Sequence, residues 1–244
     1  PTARVLMTDV TQGLDGVPPG TVKYIRVMED IPRPWAARRF WPGDSAGQQH
    51  AVVSCNTHTH VKVLHGIVPV APDGSAYFTV PARRNIFFQA LDANFMEVQR
   101  MRTFVDFQPG EYRSCIGCHE PFRQAPAVAY ATALSNPPKT PAAQPGERAP
   151  RCLHYPTDVQ PILDRHCVRC HSGRKPKGKL DLTGTETKLF TRSYENLTRR
   201  SLVKVVREIA SKMGAVEATP PYTWGSHASE LIDRLGKGHH KVEL

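Results

Sequence analysis

Two five-residue stretches carry the most pointed chemistry in this chain: Cys115-Ile116-Gly117-Cys118-His119 and Cys167-Val168-Arg169-Cys170-His171. Each reads C-x-x-C-H, the attachment signature of c-type haem. Thiols three residues apart reach the two vinyl groups on one edge of a porphyrin and form thioethers. The histidine that follows is then tethered under the ring, where its imidazole can take the proximal position on iron. A zinc knuckle or a redox dithiol also uses C-x-x-C, with His as a further zinc ligand. Two copies of the full pentad, using four of only six cysteines, favour two covalent haems over zinc.

The residue opposite each histidine decides what such a centre does. Two strong-field ligands make a closed site suited to electron transfer, and an open position makes a site for small ligands. For the second pentad the candidates are His227, His239, His240 and Met213. For the first, Cys55-Asn56-Thr57-His58-Thr59-His60 puts His58 and His60 on one face of a strand, about 7 Å apart. His65 follows closely, and Tyr112 and Tyr130 are poorer alternatives. The remaining cysteines, Cys55 and Cys152, could pair as a disulfide outside the cytoplasm, or Cys152 with His154 could join a metal site.

At 244 residues, 40% hydrophobic and with 22 prolines, the chain has room for two modest domains with much irregular backbone. Haem would supply apolar core that the sequence lacks. The formal charge of +10 raises nucleic acid as a partner, but the basic residues fall in short scattered groups without a reading motif. A basic face for an acidic redox partner is the better reading, and nucleic acid is not expected. No apolar run reaches the roughly 18 residues a membrane span needs. Haem is attached to such pentads outside the cytoplasmic membrane, so an extracytoplasmic protein is expected, its export signal once ahead of Pro1. The chain is then a mature form or a fragment, and membership of a larger complex or oligomer is open.

The elements that must hold these residues fall into an α+β pattern. Arg4–Met7, Val22–Met28, Thr59–Val68, Ala76–Val80, Ile86–Leu91 and Glu97–Phe107 read as strands at about ten-residue spacing, predicting a small β-sandwich-like domain. Ala76–Val80 and Ile86–Leu91 are predicted to form a hairpin, and residues 29–50 an insertion packed by Trp35 and Trp41. This β-rich domain takes residues 1–123, with the first pentad at its end. An Ala/Pro-rich linker, 124–150, is expected to lie semi-extended along the protein. Residues 151–244 then turn helical and predict a mainly α-helical cytochrome c-like domain. Thr157 caps a helix bearing Val159, Ile162, Leu163 and His166 that runs into the second pentad. Further helices are expected near Tyr194–Leu197, over Ser201–Ala210, and from an N-cap at Ser226 to Gly236.

The chain resembles the middle and C-terminal parts of the hydrazine synthase alpha subunit family from about Val17 onward. The residues that carry the likeness include Val17-Pro18-Pro19-Gly20-Thr21-Val22-Lys23-Tyr24, Asp73-Gly74-Ser75-Ala76-Tyr77-Phe78 and Phe88-Gln89-Ala90-Leu91-Asp92. Gln108-Pro109-Gly110-Glu111, both pentads, Gln160-Pro161-Ile162-Leu163-Asp164 and Gly225-Ser226-His227-Ala228-Ser229 complete the set. The resemblance implies two haems, the second with two axial histidines and its distal ligand near Gly238-His239, which favours His239. It also favours His58 and His65 at the first haem. Members usually carry a β-propeller ahead of this region, which this sequence lacks. In the synthase the first pentad histidine binds zinc, and a Tyr four residues on holds the iron; here that position is Arg123.

Two functions follow. One is a dihaem c-type cytochrome moving electrons between redox partners. The other is a haem enzyme of small nitrogen species, with an open first haem fed by the second. In that case Arg123 would suit an anionic substrate. A bland third, an interaction domain with structural haems, has only the sandwich pattern behind it. No Ser-His-Asp order, phosphate loop or paired-carboxylate signature is present.

Overall fold

The computed structural model describes residues 1–31, 61–101, 103–118, 130–188, 190–205 and 219–242. The chain divides into two compact units: Pro1–Cys152 with Arg207–Thr223, and Leu153–Val206 with Trp224–Leu244. No described helix is long and apolar enough to cross a membrane.

The first unit is β-rich. Its strands are β1 (Thr2–Met7), β2 (Tyr24–Ile31), β3 (Val61–Pro69), β4 (Ala76–Pro81), β5 (Asn85–Leu91), β6 (Glu97–Arg100), β7 (Val105–Asp106), β8 (Tyr112–Cys115) and β9 (Arg151–Cys152). They form two sheets, ordered β4-β1-β8 and β6-β5-β2-β3-β9, with β7 on β5. Alternation explains the sandwich. On β1, Ala3, Val5 and Met7 point inward, and on β2 Ile25 and Val27 do the same. Phe78 and Phe88 meet edge to face between the sheets, their ring centres 5.4 Å apart.

That contact corrects the expected hairpin. β4 pairs with β1 and β5 with β2, so the two strands lie in different sheets. The short link between them, with Arg83 at φ 58°, changes sheets instead of turning back within one. The alternation of β4 and the continuous apolar run of β5 mark both as strands but say nothing of the partner. The insertion around Trp35 and Trp41 lies outside the described residues. The described part of the Ala/Pro-rich segment, 130–150, runs against the first unit through Thr79 N→Lys139 O and Ala142 N→Ile67 O.

In the second unit the described helices are short: α1 (Tyr155–Asp158), α2 (Gln160–His166), α3 (Arg192–Arg199) and α4 (Glu230–Gly236). Long irregular stretches join them. Leu163, Leu182 and Leu197 form its buried cluster, flanked by Cys167, Val168, Leu180 and Leu231. Three expectations shift. Thr157 lies inside α1, which His154 precedes; Asp158 accepts the His154 amide at 2.7 Å and takes the capping role. The described part of Ser201–Ala210 is not helical, because Ser201 is left-handed and Lys204 bridges to Gly225. The last helix starts after Ser229, not Ser226, and the Ser229 hydroxyl does not cap it: it donates to Gly225 O at 2.6 Å and accepts the Lys204 amide at 2.9 Å.

Candidate functional site

The second pentad sits where α2 ends. Leu163 O accepts the Cys167 amide at 2.8 Å, and Cys167 O accepts those of Cys170 and His171 at 3.0 Å each. This last turn puts the two thiols and the imidazole along a cavity of about 590 Å³, a size usual for cofactor sites. Leu180, Leu182, Leu202, Leu231, Leu235 and Val242 give it apolar walls.

His239 comes into the same cavity from the turn after α4. Its ring centre lies 6.2 Å from that of His171, with the planes 25° apart. A ligating imidazole nitrogen stands about 2 Å from a first-row metal and roughly 1 Å from its own ring centre. Two rings on opposite sides of one metal therefore have centres on the order of 6 Å apart, as these do. His171 Nδ1 lies 3.2 Å from Leu180 O. A carbonyl only accepts, so Nδ1 carries the proton and Nε2 keeps its lone pair for a metal. Burial, then the neighbouring His240, His171 and Arg234, pulls the His239 pKa down, favouring the neutral, ligating form.

His239 stands at the start of a tight turn closed by its own amide on Val242 O and the Val242 amide on His239 O. The central residues His240 and Lys241 have φ of 49° and 69°, the signs a two-residue type I′ turn demands. His240 also lines the cavity, its ring centre 4.5 Å from that of His239. His227 is exposed and not among the lining residues. Met213 lies outside the described residues.

The donor set fits a c-type haem: two unlinked thiols, two imidazoles side by side, leucine walls. Among the described residues no three His, Cys, Asp or Glu side chains gather closely enough to hold a metal ion. The lining also holds Arg165, Arg169, Lys177, Arg200, Arg234 and Lys241 and no carboxylate. Arg234 is paired with Glu230 at 2.5 Å.

The first pentad begins in the last residue of β8, in parallel register with Met7. The loop after β1 clamps it. Thr8 and Asp9 amides donate to Cys115 O and Ile116 O at 2.9 Å, and the Cys118 amide donates to Gln12 O at 3.0 Å. Both cysteines pack against the sandwich core. Burial above all, then Asp9 and Cys115, pushes the Cys118 thiol up to about 12. Without a metal, such a sulfur stays a neutral thiol. His119, Arg123, His58, His60 and Cys55 lie outside the described residues. Cys152 is exposed on β9.

His65 is the extra residue of a bulge in β3, opposite the step from Val27 to Met28. The bulge aims its Nε2 at the buried Glu29 carboxylate, 2.8 Å away, leaving only Nδ1 for a metal. Tyr112 and Tyr130 are largely exposed. Sequence reading missed the loop at residues 8–12 and the Leu180 carbonyl. The first acts across more than a hundred residues, and the second is a backbone atom that no side chain advertises.

Residues 20–120 match the family model described as the hydrazine synthase alpha subunit middle domain. The fold is similar to a chain of Kuenenia stuttgartiensis hydrazine synthase, with a TM-score of 0.57 and 19% identity. The similarity covers 80% of this chain and 33% of that one, so this chain spans about a third of the solved protein's length. No curated protein matches.

Proposed function

We propose that this chain, related to the hydrazine synthase alpha subunit family through its middle domain, is a dihaem c-type cytochrome moving electrons between redox partners outside the cytoplasm. The observation that carries the reading is His171 facing His239 across a leucine-walled cavity beside Cys167 and Cys170. A haem held there supplies a one-electron iron couple. The chain's own residues do the rest. Cys167 and Cys170 would tether it, His171 and His239 would hold its iron, and the leucines would exclude water, which keeps reorganisation on electron transfer small. Cys115, Cys118 and His119 would hold the first haem at the edge of the sandwich. The second unit is a cytochrome c-like domain whose few short helices close around the group that fills it. The six cations of the cavity favour an acidic redox partner, and a place in a larger complex is part of the reading.

The relation to a synthase favours a second reading, in which the first haem is open to a small nitrogen species and the second feeds it electrons. Carbon monoxide separates the two. Intact mass of the exported protein is expected to exceed that of the polypeptide by two haems, and a bare or zinc-loaded chain sinks both readings. A reduced Soret band that ignores carbon monoxide supports the electron carrier. A shift in about half of the haem supports the enzyme.

A further inference from the structure

We infer that Arg200 is a positioning residue for His171, clamping the left-handed pair Gly178-Lys179 so that the Leu180 carbonyl stays against His171 Nδ1. This rests on the reading that His171 holds iron from the proximal side. The segment Lys177–Leu182 is a strap pinned at both ends on the second pentad: the Lys177 amide donates to Cys170 O at 3.0 Å, and the Leu182 amide to His171 O at 2.8 Å. Between the pins, Gly178 has φ 62°, ψ 15° and Lys179 has φ 54°. Glycine accepts that conformation, but a residue with a side chain does not without compensation.

Arg200 supplies the compensation. Its Nη1 donates to Gly178 O at 3.0 Å, and its Nη2 donates to Lys179 O. The two arms of one planar fork thus hold two successive carbonyls, a geometry that a lysine ammonium, a single point of charge, does not reproduce. Past the clamp Leu180 is extended, φ −107°, ψ 108°, and its carbonyl accepts the His171 Nδ1 proton. Arg200 is the residue that caps α3. The same helix grips the strap again where Asn196 Nδ2 donates to Asp181 O at 2.7 Å, and Leu197 packs with Leu182. Helix α3 is therefore a splint for the strap. A hydrogen bond that holds the Nδ1 proton makes the opposite nitrogen a stronger donor, which favours the oxidised metal.

The test uses the full dihaem protein. Arg200→Lys keeps the charge and loses the fork; Arg199→Lys, in the exposed i,i+4 pair with Glu195, is the control. In Arg200→Lys, one of the two haem midpoints is expected to rise while the other stays. The His171 Nδ1 proton, followed by NMR in the reduced state, is expected to exchange at least tenfold faster. Lys179→Gly, which removes the left-handed cost, is expected to return part of that change in the double variant. Full haem content with both midpoints and the exchange rate unchanged in Arg200→Lys overturns the inference. A wild-type chain with no haem on Cys167 and Cys170 overturns the reading beneath it, and the inference falls for that separate reason.

Discussion

Gly117, inside the first pentad, has no room for a side chain. A Cβ there would stand 2.4 Å from Gln12 Cβ, 2.6 Å from Gln12 O and 2.9 Å from Asp9 O. Two of those atoms are backbone of the loop that clamps the pentad, so neither side can yield cheaply. Gly74 is pressed the same way: a Cβ would fall 2.5 Å from Asp9 Oδ1, and Gly74 O accepts the Val10 amide of that loop at 2.8 Å. Gly117→Ala is expected to push the pentad off the loop and cut haem attachment at Cys115 and Cys118 severalfold, leaving the second site loaded. Peptide mass mapping of the two sites checks this, and equal loading at both would contradict it. The pentads themselves are legible from spacing alone, because thioether chemistry fixes it. Their seats are not: Gly117 meets a loop more than a hundred residues earlier in the chain, which no local pattern encodes.

Elements divide in the same way. Strand positions follow from alternation, since β1, β3, β4 and β5 fall close to where apolar and polar residues trade places. Which strand pairs with which was not readable, and β4 and β5 parted into two sheets for that reason. Helix starts moved by a few residues: His154 precedes α1 and Ser229 precedes α4, neither with a side-chain cap, so the cap-residue types that suggest a start do not set it here. The Asp73 turn shows an element held by chemistry that does titrate. Burial alone pushes the Asp73 carboxyl up. Hydrogen bonds from Ser75 and from the Thr132 amide outweigh that and hold it well below the usual carboxylate range. A carboxyl whose folded pKa is depressed contributes stability that is full above its unfolded value, about 4, and is lost as pH falls through the folded one. The segment at residues 130–135 is therefore expected to stay docked at pH 5 and to loosen well below pH 4. An acid-active protease should cut there far faster at pH 2 than at pH 4 in the wild type. Asp73→Asn should be open at both, because a single amide oxygen cannot accept from Ser75 and from the Thr132 amide at once, as the two carboxylate oxygens do. Equal cutting of the wild type at the two pH values would remove the role given to Asp73.

At the scale of the molecule, charge is gathered where the apolar core is thinnest. Among the described residues of the second unit the buried apolar cluster is Leu163, Leu182 and Leu197, a small core that a large apolar group in the cavity would extend. That cavity is lined by six Arg and Lys and no carboxylate. Haem would bring two propionates of its own, fewer than the cations waiting for them, so an uncancelled positive field remains at the site where electrons would enter or leave. Such a field pulls a negatively charged partner from a distance, and it does so over a reach that salt sets: about 30 Å at 0.01 M but only about 8 Å at 0.15 M. The second-order rate of reduction by an acidic redox protein is accordingly expected to fall on the order of tenfold across that range. Arg165→Glu with Arg169→Glu should lower the rate at low salt and flatten its dependence, because neither residue touches the strap or the facing histidines. A rate that is flat or rises with salt in the wild type would leave these cations with the propionates as their whole purpose, and the partner would then have to be recognised elsewhere on the chain.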